Sequence, residues 1–154
     1  MQVSDILRLK GQALYTITPE DSLADAARLM ADEDIGSLVV LSHGRVVGML
    51  TFREVIQAVV RNGGQFGGAS VYRVMDSGPL ICTPATELDE VRRMMLSHHA
   101  RYLPVIENRE LVGVVSFHDV AKAVVDSQDF ENGLLKAYIR DWPAEDGQSG
   151  PGVS

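Results

Sequence analysis

The sequence predicts an α/β (α+β) chain made of two β-α-β-β-α repeats packed as a pseudo-twofold pair. Three observations carry this. The stretch Gly113 to Asp119 (GVVSFHD) is echoed 65 residues upstream by Gly48 to Glu54 (GMLTFRE), and the register holds without a gap from Thr18/Thr83 to Val55/Val120. Across those 38 positions 11 pairs are identical, among them Thr18/Thr83, Pro19/Pro84, Leu23/Leu88, Met30/Met95, Leu38/Leu103, Gly48/Gly113 and Val55/Val120. Most of the 11 are apolar, so the repeat is first a repeat of core. An earlier pair, VSDIL from Val3 and VYRVM from Val71, aligns at an offset of 68, which leaves three extra residues between Leu7 and Thr18 in the first copy.

Taken in order, Ser4 can cap a short helix that runs to Lys10 and stops at Gly11. An extended piece, Leu14 to Thr18, ends at Pro19. Asp21 is a good cap for the next helix, whose Leu23, Ala26 and Met30 share one face; Thr86 holds the matching position before Leu88, Val91 and Met95. Ser37 to Leu41 and Arg45 to Thr51, separated by Ser-His-Gly, read as a β-hairpin, with His43 in the turn. Leu103 to Ile106 and Leu111 to Ser116, joined through Glu107 to Glu110, read as a second. A helix restarts after each hairpin, marked by Val55, Ile56, Val59 and Val60, then by Val120, Val124 and Val125. Arg61 to Ser70 carries four glycines in ten residues, follows a helix and lacks the Lys of a phosphate loop, so it reads as a flexible linker. Beyond Asp126 a helical stripe resumes through Phe130, Leu134, Leu135, Tyr138 and Ile139. The chain therefore divides into a first unit (1–62), a linker (63–70), a second unit (71–126), a C-terminal helix (127–142) and a disordered tail (143–154).

Composition narrows the classes of function. With 154 residues the chain suits one compact domain or a tight pair of small ones, and a single unit would be marginal. A net charge of -7, from 14 basic against 21 acidic residues, argues against a nucleic-acid partner. No apolar run approaches the roughly 20 residues that cross a bilayer, and the N-terminus lacks the apolar core of a signal peptide, so no membrane role is expected. The lone Cys82 excludes an internal disulfide and fits a reducing cytoplasm.

The doubled unit, each copy opening with Thr-Pro before its long helix and ending in the form Gly-apolar-apolar-Ser/Thr-x-x-Asp, resembles a pair of CBS (cystathionine β-synthase) domains, the Bateman module. The resemblance spans about residues 3 to 126 and includes RYLPV at Arg101 to Val105. FENGLLKAYI resembles the tail of small stand-alone bacterial CBS-pair proteins.

Physical chemistry gives the motif a use. A hydroxyl at a strand end, the amides of a starting helix and a basic side chain between them suit a phosphate; in the second copy these are Ser116, His118 and the turn from Phe117. Asp119 is poor company for a phosphate but can accept from vicinal ribose hydroxyls. The resemblance puts adenine beside Ile81 and Cys82 and near the strand with Arg101, Tyr102 and Pro104. In the first copy the equivalents are Ile17, Ile35, Gly36, Ser37, Thr51, Arg53 and Glu54. Glu54 departs from the pattern, because its extra methylene displaces the carboxylate, while Thr51 and Arg53 keep a phosphate pair.

Other readings stand beside these. Asp119 can cap its helix without any ligand, Cys82 packs as a small apolar residue, and His98 and His99 are adjacent and so point to different sides. No nucleophile, base and orienting group occur together, so no enzyme and no required cofactor are expected. The expectation is a cytoplasmic, regulatory, non-catalytic sensor of energy or redox state that binds an adenine nucleotide (AMP, ADP, ATP or NAD(H)), forms a homodimer and acts on an unidentified effector protein. The alternative is a structural dimerisation module with no nucleotide ligand.

Overall fold

The computed structural model describes residues 1–11 and 13–126; the expected C-terminal helix (127–142) and tail (143–154) lie outside them. The elements are α1 (Val3–Lys10), β1 (Thr16–Ile17), α2 (Leu23–Glu33), β2 (Ser37–Ser42), β3 (Arg45–Thr51), α3 (Phe52–Arg61), α4 (Val71–Val74), α5 (Leu88–His98), β4 (Tyr102–Glu107), β5 (Glu110–Ser116) and α6 (117–126). One sheet has the order β1-β2-β3, with β1 parallel and β3 antiparallel to β2; the other is the antiparallel pair β4-β5.

Both expected hairpins form, each with an irregularity at the same place, Val40/Leu41 and Val105/Ile106. Their turns need left-handed backbone at both central residues, which His43 (φ 52°) and Gly44 (φ 77°) supply in the first and Asn108 (φ 52°) and Arg109 (φ 67°) in the second.

The expected first strand of the second unit shrinks to one parallel bridge between Cys82 and Val105. The cause is a proline. In the first unit Val39 N–H donates to the Tyr15 carbonyl at 3.2 Å, whereas the residue corresponding to Val39 is Pro104, which has no N–H. Cys82 keeps its own pair of bonds, donating to Pro104 O at 3.0 Å and accepting from Ile106 N at 2.9 Å.

The helix caps fall one or two residues from the expected positions. Gln2, not Ser4, precedes α1; Ser22, accepting from Asp25 N, caps α2 in place of Asp21, and Glu87 stands before α5 in place of Thr86 without a side-chain bond to the helix. The side chains of Asp21 and Thr86 are spent one step earlier, where they accept from the amides of Thr18 and Thr83 at 3.0 Å and close the two Thr-Pro turns.

Packing crosses the two units. Val3 and Ile6 of α1 are buried in the second core with Cys82, Met95, Leu103 and Val115, while Val71 of α4 is buried in the first core with Leu23, Met30, Leu38 and Leu50. Sequence order assigns α1 to the first unit and α4 to the second; packing exchanges them. Backbone bonds hold the exchange at both ends. Val3 N donates to Thr86 O and Leu88 N to Met1 O, both at 2.9 Å; Val71 N donates to Asp21 O at 2.8 Å and Leu23 N to Ala69 O at 2.9 Å.

The repeated glycine is the seat of the exchanged helix. A Cβ on Gly113 would lie 2.7 Å from the Leu7 Cδ2 methyl, and one on Gly48 would lie 2.6 Å from Met75 Sδ and 2.8 Å from the Asp76 carbonyl. Leu7 can rotate its methyl away, but the Asp76 carbonyl is fixed by its antiparallel bridge to Met49. Gly48→Ala should therefore destabilise the protein by about 1–3 kcal/mol in urea unfolding and Gly113→Ala by clearly less; equal costs would show that the two seats are equally rigid.

Candidate functional site

Two clefts open between the units. The larger, of about 990 Å³, is walled by Ser116, His118 and Asp119 from the β5–α6 junction, Ile35, Gly36 and Ser37 from the start of β2, Arg101 and Tyr102 from the start of β4, and Lys10 from the end of α1. The smaller, of about 780 Å³, joins Thr51, Arg53 and Glu54 of the β3–α3 junction to Asp76, Gly78, Pro79 and Leu80, with Arg101 and Tyr102 again on its wall.

This pairing corrects the sequence assignment. Ile35, Gly36 and Ser37 face the cleft of the other unit's Asp119, not that of Thr51 and Glu54. Ile17 and Cys82 lie in the two cores, Pro104 is buried in β4, and Ile81 is exposed; none of the four lines either cleft. Ile17 and Cys82 are buried because side chains alternate along an extended segment and theirs fall inward. Burial pushes the Cys82 thiol up to about 12, with a smaller contribution from the Glu90 charge, so it stays protonated at neutral pH.

The two junctions share one local design. Ser116 N donates to Asp119 Oδ2 at 2.9 Å and Asp119 N donates back to Ser116 Oγ at 3.0 Å, a reciprocal cap for α6. In the first unit Thr51 N donates to Glu54 Oε1 at 2.8 Å and Arg53 N to Thr51 Oγ1 at 3.2 Å. The longer Glu54 thus folds back onto the same amide that Asp119 uses.

The junctions use their hydroxyls alike: the Thr51 hydroxyl donates to Glu54 Oε1 at 2.8 Å, and Ser116 Oγ accepts from Asp119 N at 3.0 Å while its side chain helps to hold the Asp119 carboxyl low. They differ in the basic residue that follows, Arg53 in the first and His118 in the second. At position 101 the second unit has Arg where the first has Gly36, and Gly36 is needed there, because a Cβ would overlap the Tyr102 hydroxyl.

Lys10 was not among the candidates from sequence. Its Nζ donates to Asp119 Oδ2 at 2.7 Å and to the Val114 carbonyl at 2.8 Å. Burial alone would raise the Asp119 carboxyl, but the hydrogen bonds from Lys10 and Ser116 and the Lys10 charge outweigh it and hold the carboxyl below its usual range. The signal for Lys10 lay in the offset of 68, which aligns it with Gly78; each residue ends up on the wall of its own cleft.

Comparison with known proteins agrees with this architecture. The CBS domain profile matches residues 3–61 and 71–126. The CBS domain-containing protein YhcV of Bacillus subtilis is 30% identical over 106 residues, which cover 69% of this chain and 75% of that protein. The crystal structure of a CBS-domain containing protein from Agrobacterium tumefaciens superposes with a TM-score of 0.76 at 32% identity over 80% of this chain and 98% of that one. At 22% identity, where the likeness speaks for the fold alone, stand CBSX2 in complex with AMP (TM-score 0.67) and the CBS domain pair of protein MJ0100 in complex with 5-methylthioadenosine and S-adenosyl-L-methionine (TM-score 0.74); each covers 82% of this chain, which spans 98% of each.

The Asp119 pair gives stability a pH dependence of definite sign. A carboxyl lowered in the folded state stabilises fully above its ordinary value of 3.8 and loses that contribution as pH falls through the lowered folded value. Urea midpoints measured between about pH 5 and pH 2 should fall more steeply for the native chain than for Asp119→Asn; parallel slopes would mean that the pair does not persist in solution.

Proposed function

The chain belongs to the CBS-domain family, with two copies of the domain in tandem, and from that premise we propose that it is a regulatory protein that binds an adenine nucleotide in the Asp119 cleft. The observation that carries the reading is the set of groups gathered there: the Ser116 hydroxyl, the His118 imidazole, the Arg101 guanidinium and the half-buried Asp119 carboxylate, in a cleft of about 990 Å³. Hydroxyl, cations and helix amides suit a phosphate, and the carboxylate suits ribose hydroxyls. The volume is within the range of small-molecule sites. Both ligand-bound proteins of this fold described above hold adenine compounds, which supports the base but not any one nucleotide. AMP, ADP, ATP and NAD(H) all meet the description.

The mechanism is linkage without chemistry. The cleft has walls from both units, so a ligand that prefers one arrangement of the units shifts the population toward it, and an effector protein reads the result. The reduced, buried Cys82 is in keeping with a cytoplasmic setting. Among the described residues no helix is long and apolar enough to cross a membrane.

A second observation supports self-association. Helix α3 buries none of its residues, and Phe52, Ile56 (60% exposed) and Val60 (71% exposed) lie along one exposed stripe at intervals of four. Phe117 and Val125 of α6, also exposed, hold the repeat positions of Phe52 and Val60. Both units thus present one apolar helix face, the kind of surface that a second copy covers in a homodimer. Should no nucleotide bind, this face would leave the structural dimerisation module as the surviving reading.

Two measurements test these statements. Ligand at a hundred times its dissociation constant adds about 2.7 kcal/mol, a rise of roughly 5–10 °C in melting temperature for one of AMP, ADP, ATP, NAD or NADH. Asp119→Ala should abolish that rise and Thr51→Ala should leave it; the reverse pattern would move the site to the Glu54 cleft. In sedimentation, Ile56→Asp should convert dimer to monomer, and a native chain that is monomeric at all concentrations would remove the dimer.

A further inference from the structure

We infer that Lys10 sets the ligand class of the Asp119 cleft, biasing it toward adenine compounds with an anionic 5′ substituent over those with a neutral or sulfonium one. The inference rests on the functional reading above and adds the charge of the ligand to it.

The argument begins with Asp119. An unpaired carboxylate on the cleft wall would repel a phosphate and attract a cation such as a sulfonium. Lys10 removes that bias, because its ammonium sits 2.7 Å from Asp119 Oδ2 and the carboxylate side chain is only 17% exposed, where screening by water is weak. Of the three ammonium protons, two are engaged, by Asp119 and the Val114 carbonyl, and the third remains for a ligand. With Asp119 neutralised, Arg101 is left without a carboxylate partner among the described residues, so the cleft carries excess positive charge.

The Glu54 cleft supplies the control within the same molecule. There the counterpart of Lys10 is Gly78, the counterpart of Asp119 is Glu54, and Asp76 adds a second carboxylate. Arg101 faces both clefts and Arg53 only the second, so that cleft holds two guanidinium groups against two carboxylates and no ammonium. The same pair of junctions therefore gives one cleft with a charge surplus and one near balance.

The test is calorimetric titration of the full chain with AMP, 5′-methylthioadenosine and S-adenosylmethionine, for the native protein, Lys10→Met and Lys10→Arg. The first two ligands share adenine and ribose and differ at the 5′ position. Lys10→Met should weaken AMP about tenfold, shift 5′-methylthioadenosine by less than about twofold and strengthen S-adenosylmethionine, while Lys10→Arg should keep the native order. A parallel loss for AMP and 5′-methylthioadenosine, or no loss of AMP affinity, would reduce Lys10 to an anchor of α1 and overturn the inference while leaving the nucleotide site intact. A native chain that binds none of the three, nor any nucleotide of the melting series, would overturn the functional reading itself. If Lys10→Met does not fold, salt decides in the native protein: raising NaCl from about 0.05 to 0.5 M should weaken AMP and spare 5′-methylthioadenosine, and equal responses would overturn the inference.

Discussion

The rest of the structure depends on the exchange of leading helices. Each unit is a small sheet with helices on it, too small to bury a sufficient core alone, and each completes its core with a helix that precedes the other unit in the chain. Val3 and Val71 are fully buried at equivalent places, and burying a valine side chain contributes about 1.5–3 kcal/mol that neither unit has without the other. Backbone bonds from the Thr-Pro turns hold both exchanged helices at their first residues, and Gly48 and Gly113 let their ends lie directly on β3 and β5. The two units are thereby one folding unit, and each cleft between them takes its walls from both.

The exchange also decides the chemistry of the clefts. Because α1 ends over β5, its last residue, Lys10, arrives at the junction that holds Ser116 and Asp119. Because α4 leads into the bridge between Asp76 and Met49, the residues after it, Asp76 and Gly78, arrive at the junction that holds Thr51 and Glu54. Two nearly symmetric scaffolds thus receive different ends: an ammonium in one, a carboxylate and a glycine in the other. The repeat preserves the parts that build the fold and relaxes those that line the clefts.

That division explains what the sequence made legible. Periodicity and the constant offset located both hairpins, both long helices and the strand-to-helix junctions, because these rest on local patterns of Val, Leu, Gly and capping residues. The cap positions were misread by one or two residues, since Asp21 and Thr86 close their own Thr-Pro turns before they can cap. The lost strand at Cys82 was readable in principle, for Pro104 stands where Val39 donates. What could not be read was which unit's β2 meets which junction: Ile35 and Gly36 face Asp119 only through the arrangement of the whole pair. Lys10 escaped for a related reason, as the three extra residues after Leu7 broke the register that would have set it beside Gly78.

One contact ties the two clefts together. Tyr102 opens β4 and lines both clefts, and its ring lies so close to Gly36 of the first unit that no side chain fits between them. A close-packed contact of this kind is not continuously deformable, so it sets how near the two units can come at that point. The Asp119 cleft has Gly36 and Ser37 of one unit and Arg101 and Ser116 of the other on its walls. Any molecule held between such walls shifts the arrangement of the units only to the extent that its contacts differ between two arrangements. The Lys10 to Asp119 bond belongs to the same wall: it ties the end of α1, which packs on the second unit, to the carboxylate at that unit's β5–α6 junction.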